Sequence, residues 1–138
     1  MTVEVERKLN VSATPEEVWA VVGDFGALAD WHPMVATCDV ERHGEVVHRH
    51  IRTVDGGELL EREIGDHPDD HSYTYEILSS PLPVRQYRAI FRVLPDNGGS
   101  KVIWSSTFEP ADVPIDEAAM AVTAIFDAGL RSIAERFA

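Results

Sequence analysis

Hydrophobic and polar residues alternate over most of the first 110 residues, which is the pattern of strands with one buried face. The opening strand places Val3, Val5, Leu9 and Val11 on one side. Six further strands are predicted between turn-forming segments rich in glycine, proline and aspartate. They are Val35–Arg42, Val46–Val54, Leu59–Asp66, Ser72–Leu78, Gln86–Leu94 and Lys101–Glu109. Their short connections predict antiparallel pairing of consecutive strands.

Helical patterns follow the first strand and close the chain. Thr14 is a predicted N-cap, with Pro15 at the first helical position and Glu17 three residues after the cap. Gly23 and Gly26 divide this region into two short helices. Near the end of the chain, apolar residues recur at helical spacing and predict one long helix that begins near Asp116.

The order of these elements predicts an α+β fold. A curved seven-stranded antiparallel sheet would grip the C-terminal helix across its concave face, with two short helices after the first strand. No repeat or linker interrupts the pattern, so we expect one domain over residues 1–138.

Three stretches carry a resemblance to a known superfamily: "TPEEVWAVVGDFGALADWHP", "SYTYEILSSPLPVRQYRAIFRV" and "KVIWSSTFEP". They resemble the START-like helix-grip superfamily (SRPBCC, the Bet v 1-like fold), and within it the polyketide cyclase/dehydrase-like branch. The resemblance implies a ligand cavity between the concave sheet face and the long helix, and makes lipid binding an expectation. A shared fold does not choose among carriers, sensors and cyclases, so function must come from the residues.

Composition limits the partners. The chain carries a formal charge of −12, which disfavours nucleic acid and anionic membranes. No apolar run is long enough for stable membrane insertion, so we expect a cytoplasmic protein, monomeric or homodimeric. The single Cys38 and the six histidines form no recognisable zinc motif, so no metal and no cofactor are expected.

Strand alternation predicts an aromatic concave face. On this basis the pocket would be packed by Tyr75, Tyr87, Phe91, Trp104, Ile125 and Gly129. Gly129 lies in the middle of the long helix, where a glycine indicates that room is being made.

The convex face is predicted to carry exposed charges. Glu61 and Glu63 are expected to point outward with Arg88, in a solvated ladder that could be changed at little cost in stability.

Strand alternation also places three arginines on the inward face: Arg7, Arg49 and Arg62. A buried guanidinium needs a partner. If Leu60, Arg62 and Ile64 of the fourth strand point inward, Glu58 is the best inward acid. Arg49 and Arg62 are therefore candidate anchors for an acidic ligand. The alternative is a local bulge that turns an arginine outward, or an extended side chain that reaches the rim.

His32 lies in "LADWHPMV", at the beginning of the second strand. The similar abscisic acid receptors carry a ligand-binding lysine at what looks like the matching position. The resemblance thus makes His32 a candidate hydrogen-bond donor to a ligand, or a candidate catalytic acid or base. The alternative is a rim histidine bonded to the backbone.

The loop "SSPLPVRQY" is expected at the cavity mouth, where Pro81, Leu82, Pro83 and Val84 would form an apolar lip. The lip would be either a lid or a rigid cap.

The leading hypothesis is binding of a small hydrophobic or aromatic molecule with an acidic or carbonyl group. The alternatives are a polyketide cyclase or dehydratase that uses His32 or an inward tyrosine, and an interaction module without a ligand.

Overall fold

The computed structural model describes residues 2–138 and contains seven strands and two α-helices. The strands are β1 (Val3–Val11), β2 (Val35–His43), β3 (Val46–Thr53), β4 (Glu58–His67), β5 (Ser72–Ser79), β6 (Val84–Asp96) and β7 (Gly99–Pro110). The helices are α1 (Pro15–Val22) and α2 (Ile115–Arg136), with short 3₁₀ helices at Phe25–Asp30 and Pro68–Asp70. All predicted strands are confirmed, and the largest difference in bounds is β6, which is two residues longer at each end.

All seven strands pair antiparallel in one sheet of order β1-β7-β6-β5-β4-β3-β2. Consecutive strands from β2 to β7 are neighbours, and β1 closes the far edge against β7. The sheet is curved and, with the long helix, forms the predicted α+β helix-grip fold.

The turn from β1 into α1 follows the predicted signals. Thr14 accepts a hydrogen bond from the backbone N–H of Glu17, and the Glu17 carboxylate accepts one from the Thr14 N–H, which is a complete capping box. Asp24 caps the following 3₁₀ helix by accepting from the N–H of Gly26 at 2.9 Å.

The two ends of the sheet are covered by different elements. Helix α2 packs mainly against β1 and β7, whereas residues 25–34, here called the corner segment, pack against β2. The space over the middle strands is therefore covered only in part, and this is where the cavity lies.

The core beside the cavity is aromatic. Trp104 is 2% exposed and stacks on Phe126 of α2, with ring centroids 4.4 Å apart. Phe91 meets Trp104 edge to face at 5.1 Å, and Trp31 of the corner segment lies against both. These contacts join sheet, corner segment and helix.

The prediction of which β4 side chains point inward is wrong. Glu61 is 5% exposed and points toward the concave side, whereas Ile64 is 39% exposed. Arg62 lies on the outer face with Glu76, and Glu58 pairs with Arg52 in solvent. The register shifts on both sides of the Glu61–Glu63 stretch, so apolar alternation does not report one continuous face.

The other two arginines predicted to point inward, Arg49 and Arg7, differ in how far they are buried. Arg49 is buried as expected, but Arg7 is about half exposed and reaches Asp127 of α2 at 2.7 Å, so it lies at the rim.

Across residues 2–138, no helix combines the length and the hydropathy that crossing a membrane would need.

Replacing Trp104 with alanine should lower the free energy of unfolding by about 3–5 kcal/mol, because the change empties the centre of the aromatic core. Urea unfolding measures this loss. Arg88→Ala on the convex face is the control, because the Arg88 side chain is 66% exposed, and it should cost less than about 1 kcal/mol. Equal stability of wild type and Trp104→Ala would contradict the described core.

Candidate functional site

A cavity of about 230 Å³ lies between the concave face and α2. It is bounded by the corner segment, the turn between β3 and β4, the loop between β5 and β6, and one face of α2. Eight of the predicted residues line it: His32, Arg49, Tyr75, Pro81, Leu82, Tyr87, Trp104 and Ile125. The sequence did not predict the contributions of Glu61, Leu59 and Met34.

Five predicted residues do not line the cavity. Arg62 points away from it on the convex face, which removes one of the two expected anion anchors. Phe91 is fully buried in the core behind Trp104. Pro83 and Val84 follow the lip formed by Pro81 and Leu82 without lining the cavity.

Gly129 makes room for protein side chains and not for a ligand. A Cβ atom there would lie 2.8 Å from His32 Cδ2 and 2.8 Å from Trp104 Cζ3, which is closer than packed carbons approach. The glycine therefore lets the His32 and Trp104 rings approach the backbone of α2.

The cavity wall contains a buried ion pair. Arg49 Nε donates to Glu61 Oε1 at 2.8 Å, and Arg49 Nη2 forms an ion pair with the same oxygen at 2.7 Å. Its Nη1 donates to the carbonyl oxygen of Phe25 at 2.7 Å, and the guanidinium carbon lies 3.9 Å from the Phe25 ring centroid. The guanidinium is thus already paired within the protein.

Burial acts on both charges of this pair. It raises the pKa of Glu61, and Arg49 offsets only part of that rise. Burial alone would lower the pKa of Arg49, but attraction to Glu61 and the contributions of Tyr73 and Tyr75 together outweigh burial, and the pKa rises. Because one guanidinium N–H donates to the Glu61 carboxylate and a second nitrogen lies at ion-pair distance from the same oxygen, the pair is charged at neutral pH and has zero net charge.

His32 is held by the backbone through both ring nitrogens. The N–H of Met34 donates to Nδ1 at 3.2 Å, so Nε2 carries the proton and donates to the carbonyl oxygen of Ile125 at 2.9 Å. Burial lowers the pKa of His32, and the charge of Arg49 lowers it further. The ring is therefore neutral, and it has no nitrogen left for a ligand or for proton transfer. Of the two predictions for His32, the structure therefore matches the one in which the histidine is hydrogen-bonded to the backbone.

Tyr75 and Tyr87 place two hydroxyl groups in the cavity wall, and Thr53 and Asp55 add polar side chains at the β3–β4 turn. Trp104 Nε1 donates to the Tyr75 hydroxyl at 3.0 Å, and the Tyr75 and Tyr87 hydroxyl oxygens are 3.4 Å apart. Burial raises the pKa of both tyrosines, so both keep their protons at neutral pH.

One signal in the sequence could have found Glu61. The β3–β4 turn contains Gly56 with φ of +92°, a conformation that favours glycine. Counting outward from this turn places Glu61 directly opposite Arg49, as the structure pairs them. Opposite residues share a face of the sheet, so the hairpin count predicts the ion pair where hydrophobic alternation does not.

Within the described residues, no group of three or more histidine, cysteine, aspartate or glutamate side chains is arranged to hold a metal ion.

Comparison with known families identifies one match over nearly the whole chain. The sequence model of a family described as "polyketide cyclase / dehydrase and lipid transport" matches residues 2–138. A comparison with curated proteins gave no match.

Solved structures show the same architecture. The protein XoxI from Bacillus cereus is 30% identical with a TM-score of 0.92, over 98% of this chain and 95% of that one. The Zhui aromatase/cyclase from Streptomyces sp. R1128 is 20% identical with a TM-score of 0.76, over 99% and 93%. The protein Ara h 8.0201 is 16% identical with a TM-score of 0.80, over 99% and 98%. The last two likenesses concern the fold alone.

Arg49→Leu should lower the free energy of unfolding by about 3–5 kcal/mol, because it leaves the Glu61 carboxylate buried without its partner. The double variant Arg49→Leu/Glu61→Leu should regain most of that loss, since it removes both buried charges. Urea unfolding of the two single variants and the double variant measures the coupling.

The pair Arg52–Glu58 is a matched control on the same two strands, with side chains 64% and 73% exposed. Arg52→Leu should cost about 1 kcal/mol or less. A double variant at positions 49 and 61 that is no more stable than Arg49→Leu would contradict this account of the buried pair.

Glu63 should make stability depend on pH. Burial, reinforced by the nearby charges of Asp66 and Asp24, raises its pKa from 4.5 to about 7, although Arg49 and Arg42 act in the opposite direction. A raised pKa means that the folded state holds the proton more tightly, so the stabilisation is complete below pH 4.5 and is lost as pH rises through about 7. The melting temperature of wild type should fall relative to that of Glu63→Gln over this interval. Parallel curves for the two proteins would contradict the shift.

Proposed function

Because the chain belongs to the polyketide cyclase/dehydrase and lipid transport family, we propose that its cavity binds a small, uncharged aromatic molecule that carries a carbonyl group. The observation that carries this proposal is the wall itself. It is an apolar and aromatic surface with one neutralised ion pair and two tyrosine hydroxyl groups, and its remaining carboxylate, Asp55, already accepts a hydrogen bond from Thr53.

The size of the cavity supports a small ligand. Pockets for drug-sized molecules are usually about 300–1,000 Å³, whereas an apolar cavity of about 150 Å³ can hold benzene. A volume of about 230 Å³ therefore favours one aromatic ring with a short substituent. A lipid with two acyl chains is too large for this volume, so lipid transport is not the role that the cavity favours.

The charge of the wall supports a neutral ligand. The sequence predicts an acidic ligand because two inward arginines, Arg49 and Arg62, would share one inward acid, Glu58, which can neutralise only one of them. Arg62 is outside, and Arg49 is bound by Glu61 and by the Phe25 carbonyl oxygen. An anion entering the cavity would lose its hydration. Among the described residues that line the cavity it would meet one guanidinium, that of Arg49, with the Glu61 carboxylate beside it.

The tyrosine hydroxyl groups support a carbonyl. An indole N–H can only donate, so the Tyr75 oxygen accepts from Trp104 and the Tyr75 hydrogen is available for another acceptor. The Tyr87 oxygen is at the long limit for that bond, at 3.4 Å. A ligand carbonyl oxygen in the cavity would be a better acceptor.

Access would be through the mouth, where Pro81 and Leu82 face Met34 and Val54. Val54 is 67% exposed, which places an apolar residue at the entrance.

A matched pair of probes tests the proposal: phenylacetone and phenylacetate, which have nearly the same shape but differ in charge. Phenylacetone should bind wild type at least about tenfold more tightly, or about 1.4 kcal/mol, because the cavity offers no free cation. Isothermal titration calorimetry or ligand-observed NMR gives both affinities.

Tyr75→Phe should weaken phenylacetone binding several-fold by removing the donor, while Arg88→Ala on the convex face should leave it unchanged. Equal or tighter binding of phenylacetate by wild type would contradict the proposed ligand class, and failure of both probes to bind would contradict the proposed site.

A further inference from the structure

The Glu61 carboxylate and the Tyr75 hydroxyl belong to one cavity wall. Glu61 pairs with Ile77 across β4 and β5, and Tyr75 is the next inward residue on β5. Residues in this diagonal relation are about 7–8 Å apart at their Cα atoms, so long side chains on them can reach one small ligand from two sides. Glu61 is also close enough to Tyr75 for its charge to contribute to the raised pKa of that tyrosine.

The carboxylate is only half engaged by its partner. Both contacts from Arg49, through Nε and Nη2, go to Oε1. The second oxygen, Oε2, is not the acceptor of either, and Glu61 is one of the residues that line the cavity. Arg49 thus orients the carboxylate through Oε1 and does not use Oε2.

From this arrangement we infer an activity: the cavity removes and returns a proton on the carbon next to a ligand carbonyl, with Glu61 as the base and Tyr75 as the donor to the carbonyl oxygen. The inference rests on the proposed binding of a neutral carbonyl compound.

The step balances without a co-reactant. The C–H bond breaks, its proton goes to Glu61 Oε2, and the electron pair forms a carbon–carbon double bond while the carbonyl oxygen becomes an enolate. The Tyr75 hydroxyl donates a hydrogen bond to that oxygen, where the negative charge develops. Return of the proton from Glu61 restores the ketone.

Other polar groups in the cavity are less suited to this role. The Asp55 carboxylate also lines it, but hydrogen bonds from the Thr53 hydroxyl and the Gly57 N–H lower the pKa of Asp55 and make it a weaker base. Both nitrogens of His32 are occupied by the backbone, and the raised pKa values of the tyrosines make them donors. Burial raises the pKa of Glu61, which makes its carboxylate a stronger base than an exposed one.

Trp104 is a positioning residue in this scheme. By donating from Nε1 to the Tyr75 oxygen at 3.0 Å, it occupies a lone pair of that oxygen and leaves the hydroxyl hydrogen to point elsewhere. A ligand oxygen in the cavity can then receive that hydrogen.

The test is exchange of the benzylic protons of phenylacetone in D₂O, followed by proton NMR, with binding of phenylacetone measured on each protein. Wild type should accelerate exchange over a buffer-matched blank. Glu61→Gln should reduce the accelerated part by about 100-fold or more, and Tyr75→Phe by about tenfold or more.

Glu63→Gln is the matched control, because Glu63 is on the same strand as Glu61 but does not line this cavity, and exchange should be unchanged. Circular dichroism shows which variants are folded. If Glu61→Gln does not fold, Tyr75→Phe decides the matter, because that change keeps the ring and the ion pair.

The outcomes separate this inference from the binding proposal. Binding with exchange that depends on Glu61 or Tyr75 supports both. Binding without exchange above the blank, or exchange that is unaltered in a folded Glu61→Gln or Tyr75→Phe protein, overturns the activity and leaves the binding site standing. Absence of phenylacetone binding overturns both.

Discussion

The buried ion pair between Arg49 and Glu61 is the interaction on which the cavity depends. It joins β3 to β4, and through the Phe25 carbonyl oxygen it also fixes the start of the corner segment. Two charges taken out of water are costly, and an apolar pair of similar volume often packs as well or better. The pair therefore does more than hold strands together: it keeps a polar wall at a defined position, stacked on Phe25, where apolar side chains could have closed the space.

The opposite wall depends on one close approach between the corner segment and α2. Gly129 has no side chain, so His32 can lie against the helix and donate to the Ile125 carbonyl oxygen. Ser132 extends the contact by donating to the Trp31 carbonyl oxygen at 2.5 Å. Different interactions thus hold the two walls in place. An ion pair fixes the wall formed by the sheet, and hydrogen bonds to backbone carbonyl groups fix the corner segment against α2. The residues most suggestive of chemistry in the sequence, a histidine and a mid-helix glycine, serve this packing.

The fold could be predicted because its signals are local. Turns, a capping box and alternating strands each depend on residues a few positions apart, and the aromatic faces of β5, β6 and β7 follow from period two. The site could be predicted only in part. On β4 the inward residues include charged Glu61, while Ile64 is exposed, so hydrophobicity reports the wrong face where a cavity replaces the core. The role of His32 depends on Ile125, 93 residues away, which no local pattern contains.

The same reasoning explains why fold and chemistry separate in this superfamily. A protein only 16% identical to this chain shares its architecture with a TM-score of 0.80, so the framework tolerates change at most positions. A strand needs only a suitable alternation, whereas a cavity wall needs particular groups at particular places. In this chain Arg49, Glu61 and Tyr75 set the polarity of the cavity, and Trp104 ties that wall to the core. Changes among these residues would alter what the cavity accepts while the helix-grip framework remained, so the chemistry of this chain follows from its own wall and not from its neighbours.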